Sequence, residues 1–137
     1  MGTLKTTIKL ETTNLFPQPV NMTIPVIEDI EINSAFSTIV LEPTTGNPAS
    51  TIYGPTTGAV GSSNVVYMFV QANASNSSAI QVRITDASAN TATALAIIPG
   101  DFAWFPVLAD DNGVEVELVN TDAANEATAY YFYGEKG

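Results

Sequence analysis

A two-residue rhythm constrains this chain more than any other feature. Leu4, Thr6, Ile8 and Leu10 alternate with Lys5, Thr7, Lys9 and Glu11, and Ile80, Val82 and Ile84 alternate with Gln81, Arg83 and Thr85. Successive side chains of an extended strand leave on opposite faces, so each run offers one face to a core and the other to water. The period returns where Val114, Val116 and Leu118 are set against Glu115 and Glu117. No stretch keeps the 3.6-residue period of a helix over a comparable length.

Clusters of Gly, Pro, Asn and Ser separate the runs, as turns do. Strands are expected over residues 4–10, 20–32 about Pro25, 36–42, 65–70, 80–85, 91–98, 102–107, 114–118 and 127–133. Thr51-Ile52-Tyr53 is a further short candidate inside an otherwise polar stretch. Pro25 cannot donate a ladder hydrogen bond and marks a bulge, an edge or a boundary, while residues 14–19, with two prolines, form a turn or corner. Residues 65–70 read Val-Val-Tyr-Met-Phe-Val, apolar on both faces, which predicts a central strand covered on both sides. Pro99-Gly100-Asp101 predicts a hairpin or tight corner, because proline presets φ and glycine accepts a positive one. The fold expected is all-β: a single antiparallel β-sandwich, jelly-roll-like or Ig-like, with eight or nine strands. One domain spans residues 1–137, with 1–19 an extended N-terminal strand or arm and 43–63 a long loop.

Fourteen acids against four bases give a net charge of −10, and the cations Lys5, Lys9, Arg83 and Lys136 are scattered. Phosphate backbones are held by clustered lysine and arginine, so neither nucleic acid nor an anionic membrane is an expected partner. No run approaches the ~18 apolar residues of a membrane helix, and the N-terminus lacks the pattern of a signal peptide.

Histidine and cysteine are both absent, which removes Ser-His-Asp and Cys-His catalysis and any thiolate metal site. Carboxylates are what remain. Glu28, Asp29 and Glu31 could hold a divalent cation or act as a glycosidase-like pair, but read more simply as solvated positions at a strand end. Asp110-Asp111-Asn112-Gly113 lacks the alternating ligands of a calcium loop and reads as a hairpin turn. Asp101 with Asp110 or Asp111 is the remaining carboxylate set an enzyme could use. Gly46, Gly54, Gly58 and Gly61 have no lysine or helix after them, so no phosphate-binding loop is formed. No catalytic residue, cofactor or metal is expected, and the chain is not expected to be an enzyme.

Aromatic residues crowd two places, Phe102, Trp104 and Phe105 in one run and Tyr130, Tyr131, Phe132 and Tyr133 in the other. Alternation puts aromatics on both faces of each strand. One set can enter the core while the other meets a second subunit or serves as a sugar-stacking platform. These seven residues are the candidate interface.

Thr6-Thr7-Ile8-Lys9-Leu10-Glu11, Ile98-Pro99-Gly100-Asp101-Phe102 and Tyr131-Phe132-Tyr133-Gly134, with the small all-β pattern around them, resemble small virion structural proteins of tailed bacteriophages, in particular capsid decoration or cement proteins. The resemblance implies a non-enzymatic β-sandwich that contacts the major capsid protein, forms a homo-oligomer, a trimer by preference, and sits on the outer capsid surface after synthesis in the host cytoplasm. A tail or fibre component is the alternative of the same kind. A carbohydrate-binding or adhesin module is the alternative of another.

Overall fold

The computed structural model describes residues 3–12, 20–32, 36–45, 49–54, 65–86, 88–108 and 114–136. They hold ten strands: β1 (Thr3–Thr12), β2 (Val20–Ile32), β3 (Ser37–Leu41), β4 (Ala49–Tyr53), β5 (Val65–Ala72), β6 (Ile80–Thr85), β7 (Thr91–Ile97), β8 (Phe102–Leu108), β9 (Glu115–Asn120) and β10 (Ala127–Lys136). All pairings are antiparallel.

The strands form two sheets. Sheet A runs β1-β2-β10-β5-β8 with β3 also paired to β10, and sheet B runs β4-β9-β6-β7. Leaving aside β1 and β2, the orders β3-β10-β5-β8 and β4-β9-β6-β7 are those of an eight-stranded jelly roll, in which nearly every connection crosses from one sheet to the other. The all-β sandwich expected from the alternation is the fold, and the jelly roll is its form.

The core between the sheets is built from every second residue. On β5, Val66, Met68, Val70 and Ala72 are fully buried while Val65, Tyr67, Phe69 and Gln71 are not. Opposite them, Ile80 and Val82 of β6 and Val116 and Leu118 of β9 are equally buried. Fully burying one such aliphatic side chain stabilises by about 1.5–3 kcal/mol, so this layer carries most of the folding free energy.

Local chemistry explains several departures from simple alternation. On β4 the register steps from Thr51 opposite Glu117 to Tyr53 opposite Val116, so Ile52 is the extra residue of a bulge. The bulge lets both Ile52 and Tyr53 enter the core. Residues 43–63 are therefore not one long loop, because β4 lies within them; 46–48 and 55–63 fall outside the described residues. Pro99 and Gly100 make a type II turn, with Gly100 at φ 88° and the Asp101 amide donating to the Ile98 carbonyl at 3.0 Å. It is a corner between sheets and not a hairpin, since β7 belongs to sheet B and β8 to sheet A. Asp110-Asp111-Asn112-Gly113 lies outside the described residues, and it too joins strands of different sheets, so β8 and β9 form no hairpin across it.

β2 is continuous through Pro25, which sits opposite Thr7 of β1. The other flank of β2 meets β10 only at Ile30 to Ile32, so Pro25 sits where β2 is paired with β1 alone among the described strands, a position that tolerates proline. Residues 13–19, where a turn was expected, lie outside the described residues.

Candidate functional site

The outer face of sheet A, the side turned away from sheet B, is where the aromatic residues gather. Register assigns the positions: Tyr130 lies opposite Gln71 and Thr38, Phe132 opposite Phe69, Phe69 opposite Trp104, and Gln71 opposite Phe102. Directly opposed residues share a face. Phe36, just before β3, joins them.

The rings form one continuous cluster. Phe69 stacks on Phe132 at 5.0 Å and on Phe102 at 5.7 Å between centroids, and Tyr67 stacks on Trp104 at 5.8 Å. Phe36 stacks on Tyr130 at 6.0 Å and tilts against Phe132 at the same separation. The Tyr130 hydroxyl accepts from Asn73 Nδ2 at 2.8 Å, which fixes the polar tip at the end of the strand and leaves the ring to the cluster. Such offset or tilted pairs are each worth about 0.5–1.5 kcal/mol beyond area alone. Even so, Phe36 remains 61% and Phe102 64% exposed, and Val40 on the same face is 53% exposed.

The cluster bears no charge. Among the residues of β3, β5, β8 and β10 whose burial is described, the outer-face positions are Thr38, Val40, Val65, Tyr67, Phe69, Gln71, Phe102, Trp104, Pro106, Thr128, Tyr130, Phe132 and Gly134. Charges begin past the strand ends, at the exposed Glu42 and Glu126, and at the register position of Lys136. The outer face of sheet B differs, with Gln81, Arg83 and Thr85 of β6 beside Glu117 and Glu115 of β9.

Of the seven aromatic residues singled out in the sequence, Phe102, Trp104, Tyr130 and Phe132 lie together on this face. Phe105, Tyr131 and Tyr133 do not. Tyr133 is 8% exposed within the core, where its ring meets Tyr53 edge-on at 5.3 Å, and Phe105 and Tyr131 pack against the core cluster. Alternation forces this split, because neighbours along a strand cannot share a face. Phe36, Tyr67 and Phe69 belong to the cluster and were not singled out. Their signal was present in β5, which is apolar on both faces although a two-sheet sandwich covers only one. On that outer side Tyr67 and Phe69 are half-buried among the rings of the cluster.

A second constellation sits where the β5–β6 and β9–β10 turns meet. Asn120 is fully buried, its Nδ2 donating to the carbonyls of Asn125 at 2.7 Å and Leu41 at 3.4 Å while its Oδ1 accepts from the Asp122 amide at 2.9 Å. The Asp122 carboxylate accepts from the Ser77 hydroxyl, from the amides of Ala124 and Asn125, and from the Asn125 side chain. These donors, the Ser77 hydroxyl first, hold its carboxyl well below the usual carboxylate range. Asn90 does the same, more weakly, for Asp86 in the β6–β7 turn, where the Asn90 amide and side chain both donate to it. Asp86 draws its donors from its own turn and locks it, whereas Asp122 also takes the Ser77 hydroxyl of the β5–β6 turn and so ties two turns together.

Among the described residues no group of three or more acidic side chains is placed to hold a metal ion. Glu28, Asp29 and Glu31 lie on β2, where Glu31 is opposite both Thr3 and Glu135 by register and residues 27–29 span an irregularity; their side chains lie outside the described residues. Asp101 is exposed at the start of β8. Among the described residues no helix is long and apolar enough to cross a membrane.

Comparison with known proteins adds little. No family model matches the chain, and no curated protein sequence matches it. A solved structure described as "Bacillus endospore appendages form a novel family of disulfide-linked pili" is similar at a TM-score of 0.49 and 12% identity, covering 85% of this chain and 98% of that one.

Proposed function

We propose that this chain is a non-enzymatic structural subunit that docks onto a larger assembly through the outer face of sheet A, and that a capsid decoration protein of a bacteriophage virion is the specific form of that role. One observation carries the docking: β5, at the centre of sheet A, is apolar on both faces, and its outer-side Phe69 lies in a ring cluster whose Phe36 and Phe102 stay 61% and 64% exposed. Large apolar patches on monomers mark interaction sites, and aromatic residues are the usual anchors of such contacts. The virion setting rests on the sequence resemblance. A contact repeated over a lattice gains from effective concentration, so each copy needs only modest affinity of its own to reinforce the shell.

A sugar-binding role fits this face less well. Sugar platforms expose ring faces beside a few well-placed polar groups. Here the rings stack on one another at 5.0–6.4 Å, four of them are phenylalanine, and the polar neighbours on the face are few. Rings that cover one another suit a dry protein contact.

The test is incorporation. Particles assembled with the wild-type chain should retain it, whereas the Phe102→Asp chain should be retained at least tenfold less, and particles lacking the protein should open at lower temperature. Equal retention of the variant would sink the docking face, and unchanged heat resistance of stripped particles would sink the cement role.

A further inference from the structure

We infer that the partner covering the outer face of sheet A is a second copy of this chain, stacked face to face through the same surface. The inference rests on reading that face as an interface and adds the identity of what meets it.

The first support is that the apolar face does not stop at the sandwich. Register carries it onto β2 and β1: Ile32 is opposite Gly134 and Ile30 opposite Lys136, so both occupy outer-face positions in line with Phe132 and Tyr130. Leu4 is opposite Ile30, Ile8 opposite Ile24, and Leu10 opposite Met22. The irregularity between Leu4 and Thr6 spans two residues on β1 and four on β2, from Ile30 to Val26, which keeps the alternation in step. A mostly apolar set of positions therefore runs from β8 to β1, with Lys136 and Glu28 as its charged members.

Geometry makes that set large enough. β10 ends opposite Ile30, so residues 20–29 of β2, with β1 alongside, reach beyond it by about 33 Å at ~3.3 Å per residue. The four jelly-roll strands of sheet A present roughly 450 Å² at a ~4.8 Å strand spacing, and the ribbon brings the face to roughly 750 Å². A stable interface takes about 800 Å² per partner. The sandwich part alone falls well short, whereas the face with its ribbon comes close. A two-stranded ribbon is also marginal by itself in water, so a covered ribbon is the expected state.

Charge selects the partner. Two copies of a −10 chain repel unless they meet where few carboxylates face each other, and the outer-face positions of β3, β5, β8 and β10 carry none, while on the ribbon Glu28 alone falls in the same alternation. Sheet B brings Glu115 and Glu117 to its exterior. Edge-to-edge joining is also partly obstructed. The edge strand β7 has an extra residue, Ala94, between the partners of Val82 and Arg83; β4 has its bulge at Ile52; and β8 carries Pro106. With β4, β7 and β8 interrupted as edges, β1 and β3 left as the open edges of sheet A, and the exterior of sheet B charged, the aromatic face is where two copies meet with least repulsion. Two flat faces close in pairs about a twofold axis, so the expected oligomer is a dimer and not the trimer favoured from sequence.

Trp104 is the chain's one tryptophan and lies within the cluster, so it reports on the face directly. Sedimentation velocity on the full chain should show a dimer at about 10 µM, and dilution through the transition should shift Trp104 emission to the red. Phe102→Asp, at an exposed position, should weaken the dimer at least 100-fold with the far-UV spectrum unchanged. Ile8→Asp on the ribbon should weaken it about tenfold, and Thr93→Asp on exposed β7 less than twofold. A wild-type chain that stays monomeric at 100 µM overturns the second copy as partner, as does a dimer indifferent to Phe102→Asp. The first result leaves the docking reading standing, since that reading falls only if Phe102→Asp is incorporated normally into particles.

Discussion

The two exteriors of this sandwich are built from the same kind of strand and have opposite chemistry. Sheet B turns Gln81, Arg83, Thr85, Glu115 and Glu117 outward, the polar alternation of a strand that faces water, and Thr91 and Thr93 on β7 extend that polar surface. Sheet A turns outward a stacked group of aromatic rings, with no charge at the outer positions of β3, β5, β8 and β10 whose burial is described. Folding needs only the interior layer shared by both sheets. The difference between the exteriors therefore records a second requirement, which we assign to association.

Met68 and Phe69 put that division to its hardest test, because they are neighbours on β5 with opposite surroundings. Met68 is fully buried between the sheets, and Phe69 lies in the outer cluster. Met68→Ala should cost about 3 kcal/mol of stability, the transfer loss plus the cavity left behind. Phe69→Ala, measured in dilute solution where copies are apart, should cost about 1 kcal/mol, the scale of lost ring–ring contacts. Association should respond in the reverse order. Denaturant midpoints for folding, set beside sedimentation for association, would break the comparison if Phe69→Ala proved as costly to folding as Met68→Ala.

That division was half legible in the sequence. Alternation showed that Phe102 and Trp104 share one side and Phe105 the other, and that Tyr131 and Tyr133 part from Tyr130 and Phe132. It could not show which side is inner. The answer depends on what each side meets: Ala127 and Ala129 share the Tyr131 side of β10 and, being small, let that side close onto the other sheet, while the Phe132 side stays outside. The jelly-roll order was beyond reach for a related reason. Pro99-Gly100 reads as the same turn whether it joins two paired strands or crosses between sheets, and only long-range pairing decides. The bulge at Ile52 likewise hides, since an extra residue breaks the rhythm that a sequence reading follows.

Asn120 sharpens the contrast by showing how folding handles polarity when it must bury it. Its side chain is fully enclosed, and all three of its hydrogen bonds go to backbone groups around the β9–β10 turn and the end of β3. Asn120→Ala leaves those groups unpaired in the interior, which should cost about 1–3 kcal/mol. The variant should remain able to form the dimer once folded, because the residue lies behind the outer face. A chemical denaturation curve gives the first quantity and sedimentation below the transition gives the second.

The smallest effect expected is one of pH, and it separates folding from association by their titratable groups. Asp122 has its carboxyl held below the ordinary range, first by the Ser77 hydroxyl and then by the turn amides, so it binds its proton less readily folded than unfolded. The sign follows: its contribution is present above the unfolded carboxylate value and fades as pH falls toward the folded one, so the stability should decline in acid below about pH 4. Asp122→Asn should flatten that decline while lowering stability at neutral pH, since the amide keeps the shape but offers one acceptor fewer. The outer positions of sheet A with described burial hold no acid and no base other than tyrosine, so association should vary by less than a few-fold between pH 5 and pH 8. A dimer that falls apart across that range would mean that carboxylates beyond the strand ends, such as Glu42 or Glu126, take part in the contact, and the neutral face would not be its boundary.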